Sequence, residues 1–229
     1  MSSFPERYRR NAQTISPANQ DKLKASTVAV IGCGGLGGYI AEELARLGVG
    51  HLILIDGDKV EASNLNRQLF ATEKAVGTPK VEAARARLQE VNSEVKLDLF
   101  QDWFKEEKAE TFLAGADLVC DALDSISVRL ELERGCHALN LPLVFAGIAG
   151  WYGLVGVSFP GDRSMAHLFG QGERGVETVL GNPPFTPAVV ASLAVAEAVK
   201  VLTGKESVLR KAWLQIDLLA MEFEKFTLS

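Results

Sequence analysis

The sequence predicts an α/β fold whose sheet is mainly parallel and is extended by antiparallel strands, and three observations point to it. Thr27-Val28-Ala29-Val30-Ile31 is an unbroken apolar run ending in a glycine cluster, the pattern of a strand buried on both faces. A helical stretch and a second run, His51-Leu52-Ile53-Leu54-Ile55, follow, and strand–helix–strand succession implies a parallel pair joined by a right-handed crossover. Leu154-Val155-Gly156-Val157-Ser158-Phe159 alternates less cleanly and stops at Pro160-Gly161, which predicts antiparallel pairing at the far side of the sheet. The 229 residues are 47% hydrophobic and 23% charged, enough apolar material for one continuous core. Neither a repeat nor a linker divides them, so a single domain over 1–229 is expected, with an N-terminal arm to about residue 24.

The remaining elements follow in order. Tyr39 to Leu47 carries Ile40, Leu44 and Leu47 at helical spacing and is closed by Gly48 and Gly50. Lys80 to Val91 is a second helix, with Val81, Ala84, Leu88 and Val91 on one face. Val95 to Phe100 alternates as a strand, and Trp103 to Leu113 is mixed helix or loop. Asp117 to Asp121 is a strand with an acid at its carboxyl end. Val128 to Leu139 is helical, and Leu143 to Ala146 is a strand after Pro142. The glycine-rich crossover segment, about 162–185, has no clear period, as expected of a lid, an interface segment or a disordered loop. Thr186-Pro187, a hydroxyl then a proline, starts a helix that is apolar nearly all round, so it should be buried in the core or against another subunit. Trp213 to Ile216 and Met221 to Phe226 are two closing strands.

Composition excludes several classes of function. The net charge is −5 and no basic block is present, which argues against duplex binding while leaving RNA recruitment through a local patch open. Cys33, Cys120 and Cys136 form no C-x-x-C pair, so neither a structural zinc nor a thioredoxin-type centre is expected. The first ten residues have no apolar run resembling a secretory signal, and the apolar stretch from Pro187 to Leu202 is interrupted by Ser192, Glu197 and Lys200. The expectation is a cytoplasmic protein with no membrane attachment. His51, His137 and His167 show no mutual spacing and are expected to be ordinary structure.

Gly32-Cys33-Gly34-Gly35-Leu36-Gly37 satisfies G-x-G-x-x-G between a strand and a helix. Glycines there let backbone amides approach a phosphorylated ligand at the positive end of the helix. Asp56 ends the next strand about 20 residues on, where a carboxylate can hold ribose hydroxyls. By that rule alone the ligand is a dinucleotide. The next stretch argues for a triphosphate. Ser63-Asn64-Leu65-Asn66-Arg67-Gln68 follows the Asp56-Gly57-Asp58 turn, and Lys80 heads the next helix after Pro79. A cluster of cations suits a leaving group whose negative charge must be neutralised. Asp124, just past a strand's carboxyl end, is placed to hold a transient Mg²⁺ bridging the phosphates.

Gly32-x-Gly34-Gly35-Leu36-Gly37, Asp56-x-Asp58, Ser63-Asn64-Leu65-x-Arg67-Gln68, Gly77-x-Pro79-Lys80 and Asp121-x-x-Asp124, in this order, resemble the ThiF/MoeB/HesA family, bacterial relatives of the ubiquitin-activating enzymes. The resemblance runs from about Arg7 to the C-terminal strands. It implies a Rossmann-like three-layer fold and an adenylyltransferase using ATP and Mg²⁺. The C-terminal carboxylate of a small β-grasp sulfur-carrier protein ending in Gly-Gly would attack the α-phosphate, releasing pyrophosphate. In this reading the loop around Gly32, Gly34 and Gly35 lines the nucleotide site, and Asp56 and Asp58 belong to it, Asp56 on the ribose. Asn64, Arg67 and Lys80 bind phosphate oxygens with support from Gln68, and Asp124 positions the metal. Arg10 matches a family arginine that reaches the partner subunit's site, which implies a homodimer with Arg10 acting in trans. Arg10, Arg67, Lys80 and Asp124 are thus the candidate catalytic residues. No general acid or base is needed, because the nucleophile is already ionised.

The sequence departs from the family in lacking the two C-x-x-C pairs of MoeB-like members and in having no cysteine in the crossover segment. Adenylation without an enzyme thioester is therefore expected, serving molybdopterin, tungstopterin, thiamine or a related product. A tRNA threonylcarbamoyladenosine dehydratase-like activity, a non-catalytic nucleotide-binding protein and an NAD-dependent enzyme are the competing readings.

Overall fold

The computed structural model describes residues 4–170 and 180–228. Thr27–Ile31 (β1) and His51–Ile55 (β2) pair in parallel along their whole length, Thr27 opposite His51 and Ile31 opposite Ile55, as their apolar runs predict. Lys96–Phe100 (β3) continues the parallel set beyond β2, while Leu118–Asp121 (β4) and Leu143–Ala149 (β5) extend it on the other side of β1. Tyr152–Ser158 (β6), Ala212–Asp217 (β7) and Glu222–Thr227 (β8) add antiparallel strands, giving one eight-stranded sheet in the order β3-β2-β1-β4-β5-β6-β7-β8.

Alternate residues of the central strands feed two cores. Val28, Val30, Leu52, Leu54 and Leu118 point to one face, under Pro17–Ala25 (α1), Gly35–Leu47 (α2), Lys80–Val91 (α3) and Phe185–Thr203 (α7). Ala29, Ile31, Ile53, Ile55, Val119 and Phe145 point to the other, under Ala109–Phe112 (α4) and Ile126–Ala138 (α5), with Met165 of Ser164–Phe169 (α6). The result is the expected three-layer Rossmann-like arrangement. Helix α7 is long and apolar enough to cross a membrane by length and composition. It packs instead against α2, β5 and β6, with Val190, Ala191, Ala194 and Ala198 fully buried.

Several boundaries differ from the sequence reading, each for a physical reason. Helix α2 begins at Gly35, not Tyr39, so the motif glycines form its first turn. A Cβ on Gly37 would stand 1.7 Å from the carbonyl oxygen of Gly32, and Gly32 itself has φ +96° with its Cβ position 2.7 Å from the carbonyl oxygen of Ala122. Low helix propensity is accepted there because no other residue lets the loop, the helix and the β4 turn approach so closely. Helix α7 starts two residues early, at Phe185, with Pro184 and not Thr186 at its cap position. Thr186 lies inside its first turn and is buried, donating its hydroxyl to the Gly150 carbonyl at 2.6 Å rather than capping. The segment expected as an N-terminal arm holds a 3₁₀ turn, Glu6–Asn11, and α1, anchored by buried Tyr8, Ile15 and Leu23. The crossover segment contains α6, and its residues 171–179 lie outside the described residues.

Candidate active site

The chain runs outward from β1 to β2 and β3 on one side and continues through β4 and β5 on the other, so a crevice opens beyond the carboxyl ends of β1 and β4. A cavity of about 650 Å³ lies in that crevice. Its wall includes Gly32, Gly34, Gly35, Asp56, Asp58, Asn64, Arg67, Gln68, Lys80 and Asp124. Of the residues singled out in the sequence, only Arg10 is elsewhere: it is exposed on the Glu6–Asn11 turn and does not line its own chain's cavity.

Each wall residue is held by a traceable local cause. Asp56, at the end of β2, accepts from the Cys33 N–H at 2.7 Å and from the Asp58 N–H at 2.8 Å, tying the glycine loop to the Asp56-Gly57-Asp58 turn. Burial pushes its carboxyl above the usual carboxylate range, opposed by the nearby Lys80 ammonium and by those two amides. Lys80 opens α3 and is delivered by a short bridge between Lys59 and Pro79, after which its own N–H donates to the Asp58 carbonyl at 2.9 Å. Its side chain is buried, with Nζ 2.7 Å from Asp58 Oδ2 and 4.0 Å from Asp56 Oδ2.

Asn64 is buried at the end of the 3₁₀ turn Ala62–Asn64, and its Oδ1 accepts from the Glu61 N–H at 3.0 Å. The Arg67 guanidinium donates to the Ser63 carbonyl at 3.0 Å and to Asn66 Oδ1 at 2.9 Å. Gln68 is buried beside Gly34. Asp124 stands exposed on the turn after β4.

These residues fit a nucleoside triphosphate. A Cβ on Gly34 would stand 3.6 Å from the Gln68 side chain, and one on Gly35 3.6 Å from Pro187 and 3.7 Å from Arg67, so the loop backbone lies directly against the side chains expected at the phosphates. Arg67, Lys80, Asn64 and Gln68 line the cavity, and Asp56 borders it. Among the described residues no group of three His, Cys, Asp or Glu side chains could hold a metal ion. A single carboxylate, Asp124, suits Mg²⁺, which is commonly held by one or two carboxylates together with substrate phosphates. The thiols of Cys33, Cys120 and Cys136 are free and buried; burial pushes all three up, that of Cys120 to about 12, so each is protonated at neutral pH.

Sequence reasoning missed Arg129, and it named Asp121 only as a strand-end acid and part of the Asp121-x-x-Asp124 motif, without a partner. Arg129 lines the cavity from α5 and is buried, with Nη1 3.3 Å from Asp121 Oδ2. The available signal was its position on the apolar stripe of that helix, one turn before Leu132 and two before Cys136. Tyr152, Phe169 and Trp213 form an apolar wall on the sheet-extension side, and Trp103 covers Gly57 on the other. Asn182, from the far end of the crossover segment, also reaches the cavity, and its carbonyl accepts from Asn66 Nδ2 at 3.0 Å.

Known proteins resemble this chain in sequence and in fold. The sulfur carrier protein adenylyltransferase of Thermus thermophilus is 35% identical over 240 aligned positions, covering 97% of this chain and 86% of that protein. The tRNA threonylcarbamoyladenosine dehydratase of Bacillus subtilis is 41% identical over 138 positions, covering 60% of this chain and 54% of that protein. The crystal structure of Escherichia coli MccB with ATP superposes with a TM-score of 0.84 at 24% identity, covering 99% of this chain and 72% of that one, a likeness of fold. The ThiF family model matches residues 8–229. By that match and the near full-length relative, this chain belongs to the ThiF family.

Proposed function

We propose that the protein is an adenylyltransferase that uses ATP to activate the C-terminal carboxylate of a small β-grasp sulfur-carrier protein. The observation that carries the reading is the convergence of Asn64, Arg67, Gln68 and Lys80 on one side of the glycine loop, with Asp56 and Asp124 at the strand ends. Asp56 holds the ribose, and the amides around Gly34 and Gly35 line the α-phosphate. A carboxylate oxygen of the carrier attacks the α-phosphorus, the bond to the bridging oxygen of the β-phosphate breaks, and pyrophosphate departs. Lys80 and Arg67 neutralise the charge that develops on the leaving group, and Asn64 and Gln68 orient it. Bound Mg²⁺, held by Asp124, supplies further charge neutralisation on the phosphates. The chain's own work is alignment, because the nucleophile enters ionised. Arg10 completes the site of a second subunit in a homodimer, in the cytoplasm.

The carrier serves a sulfur-transfer pathway such as molybdopterin, tungstopterin or thiamine synthesis. Protonated, buried thiols support transfer of sulfur by other proteins, not through an enzyme thioester. The higher identity to the dehydratase favours a second reading, activation of a carboxylate on modified tRNA. The carrier reading leads because its relative matches nearly the whole chain, C-terminal strands included. ATP–pyrophosphate exchange measured with Gly-Gly carriers encoded in the same genome and, separately, with modified tRNA separates them. Exchange with a carrier supports the first, tRNA-dependent pyrophosphate release supports the second, and ATP binding without turnover on either leaves only a nucleotide-binding protein.

A further inference from the structure

Asp124 is an exposed acidic side chain over the crevice between β1 and β4, yet the turn that presents it is fastened on both sides. The Leu123 N–H donates to Asp121 Oδ1 at 2.9 Å. The Leu123 carbonyl accepts from Arg129 Nε at 2.8 Å and also from Arg129 Nη2. The ring closes through Arg129 Nη1, 3.3 Å from Asp121 Oδ2. One buried ion pair therefore holds both polar groups of the residue next to Asp124. The residue before that is fixed too, since the Ala122 N–H donates to the Ile31 carbonyl of β1 at 2.9 Å. On the far side the Arg129 N–H donates to the Ser125 carbonyl at 3.0 Å, the first bond of α5. Asp124 is the apex between these fastenings.

We propose that the Asp121–Arg129 pair positions Asp124, and that it does so by clamping the Leu123 peptide. The proposal rests on the reading of Asp124 as the carboxylate that holds Mg²⁺. The side chains are 0% and 6% exposed, and desolvating two charges so fully offsets most of their attraction. Net stability is thus a poor account of the pair, whereas a planar guanidinium with two donors on one carbonyl fixes an angle as well as a distance. The guanidinium has no freedom to wander. The ring of Phe169, from α6, lies 5.4 Å from its centre, and a Cβ on Gly147 of β5 would stand 3.4 Å from Nη1. Through Phe169 the clamp also touches the crossover segment. Arg129 is a positioning residue: it acts through Leu123 and Asp124.

The test uses the full chain and Mn²⁺ as the metal probe. Mn²⁺ affinity in the presence of ATP is read by electron paramagnetic resonance, and metal-free ATP affinity by calorimetry in EDTA. Arg129→Lys keeps a cation opposite Asp121 but cannot place two donors on one carbonyl, and Arg129→Met removes the charge. Disrupting such outer-shell partners typically weakens a metal about 10- to 100-fold, so Arg129→Lys should weaken Mn²⁺ by about tenfold while metal-free ATP binding stays within about twofold. Unchanged Mn²⁺ affinity in Arg129→Lys, or a parallel loss of metal-free ATP binding, overturns the proposal. If Arg129→Met does not fold, the Lys variant decides. Asp124→Ala separates the two claims: no effect there removes the reading of Asp124 and the clamp with it, whereas an effect there with none at Arg129 removes the clamp alone.

Discussion

Lys80 Nζ donates to Asp58 Oδ2 across 2.7 Å, and the two side chains are unequally covered, 10% exposed for the lysine and 49% for the aspartate. The cation is the inner partner. Asp58 steadies it from the more exposed side, and both side chains line the cavity.

Lys80 and Asp58 should therefore fail differently. Removing an electrostatic stabiliser of developing charge costs about 10²- to 10³-fold in rate, so Lys80→Ala should lower pyrophosphate exchange by about that factor. Asp58→Asn keeps an acceptor for the ammonium and should cost less than about tenfold, with the loss in KM for ATP more than in kcat. Equal losses for the two variants would contradict this ordering.

The loop glycines divide by what surrounds them. Gly37→Ala would drive a methyl to 1.7 Å from the Gly32 carbonyl, and soluble folded protein should not be recovered. Gly38→Ala meets nothing nearer than 3.4 Å and should be neutral or stabilising by up to about 1 kcal/mol, the usual gain in a helix. Gly34→Ala has room within the protein, its methyl 3.6 Å from Gln68 on the cavity wall. It should keep its melting temperature while ATP affinity drops, and retention of full affinity would count against an amide cradle there.

Acid titration should report Asp121. Complete burial pushes its carboxyl up to about 6, against the pull of Arg129. An unfolded aspartate titrates near 3.9, so between about pH 4 and pH 6 the native chain binds more protons than the unfolded one. Its contribution to stability therefore falls as pH rises through that window and levels off above about 6. Glu43 and Asp56, also raised by burial, act in the same direction, while Glu42 and Asp162, lowered by their arginine partners, act oppositely. The difference between wild type and Asp121→Asn isolates the one group. Melting curves from pH 4 to pH 7 should show a more positive slope with pH in the variant, and identical slopes would refute the assignment.

Arg10 offers a test of shared sites. If it completes the partner's site, Arg10→Ala and Lys80→Ala are each inactive as homodimers. Mixed and allowed to exchange subunits, they should recover about a quarter of wild-type exchange, since half the dimers are mixed and each then has one intact site. Absence of any recovery, with subunit exchange demonstrated, would place Arg10 outside the catalytic set.

Local patterns made much of this architecture legible. The apolar runs of β1 and β2, the glycine loop between them, and Asp56 at the second strand's end are adjacent in sequence, so their pattern announces them. Lys80 was legible because a proline-led helix start is a local signal. The missed features are tertiary. Helix α6 has only six residues, and its cap comes from elsewhere: Glu133 of α5 accepts from the Met165 and Ala166 amides at 2.8 and 2.9 Å. No pattern within residues 162–185 could show that. The start of α2 was hidden because glycine reads as a loop residue, and its packing against the Gly32 carbonyl is a contact between turns. Arg129 belongs to the same class, since its role depends on a carbonyl six residues earlier that only the folded turn brings into reach.

The most direct test of the central claim follows the label of ATP. With carrier, Mg²⁺ and ATP labelled at either the α- or the γ-phosphate, the α-label should become bound to the carrier's C-terminus and the γ-label should leave in pyrophosphate. Release of the γ-label as inorganic phosphate, with no α-label on the carrier, would contradict a site built to steady departing pyrophosphate.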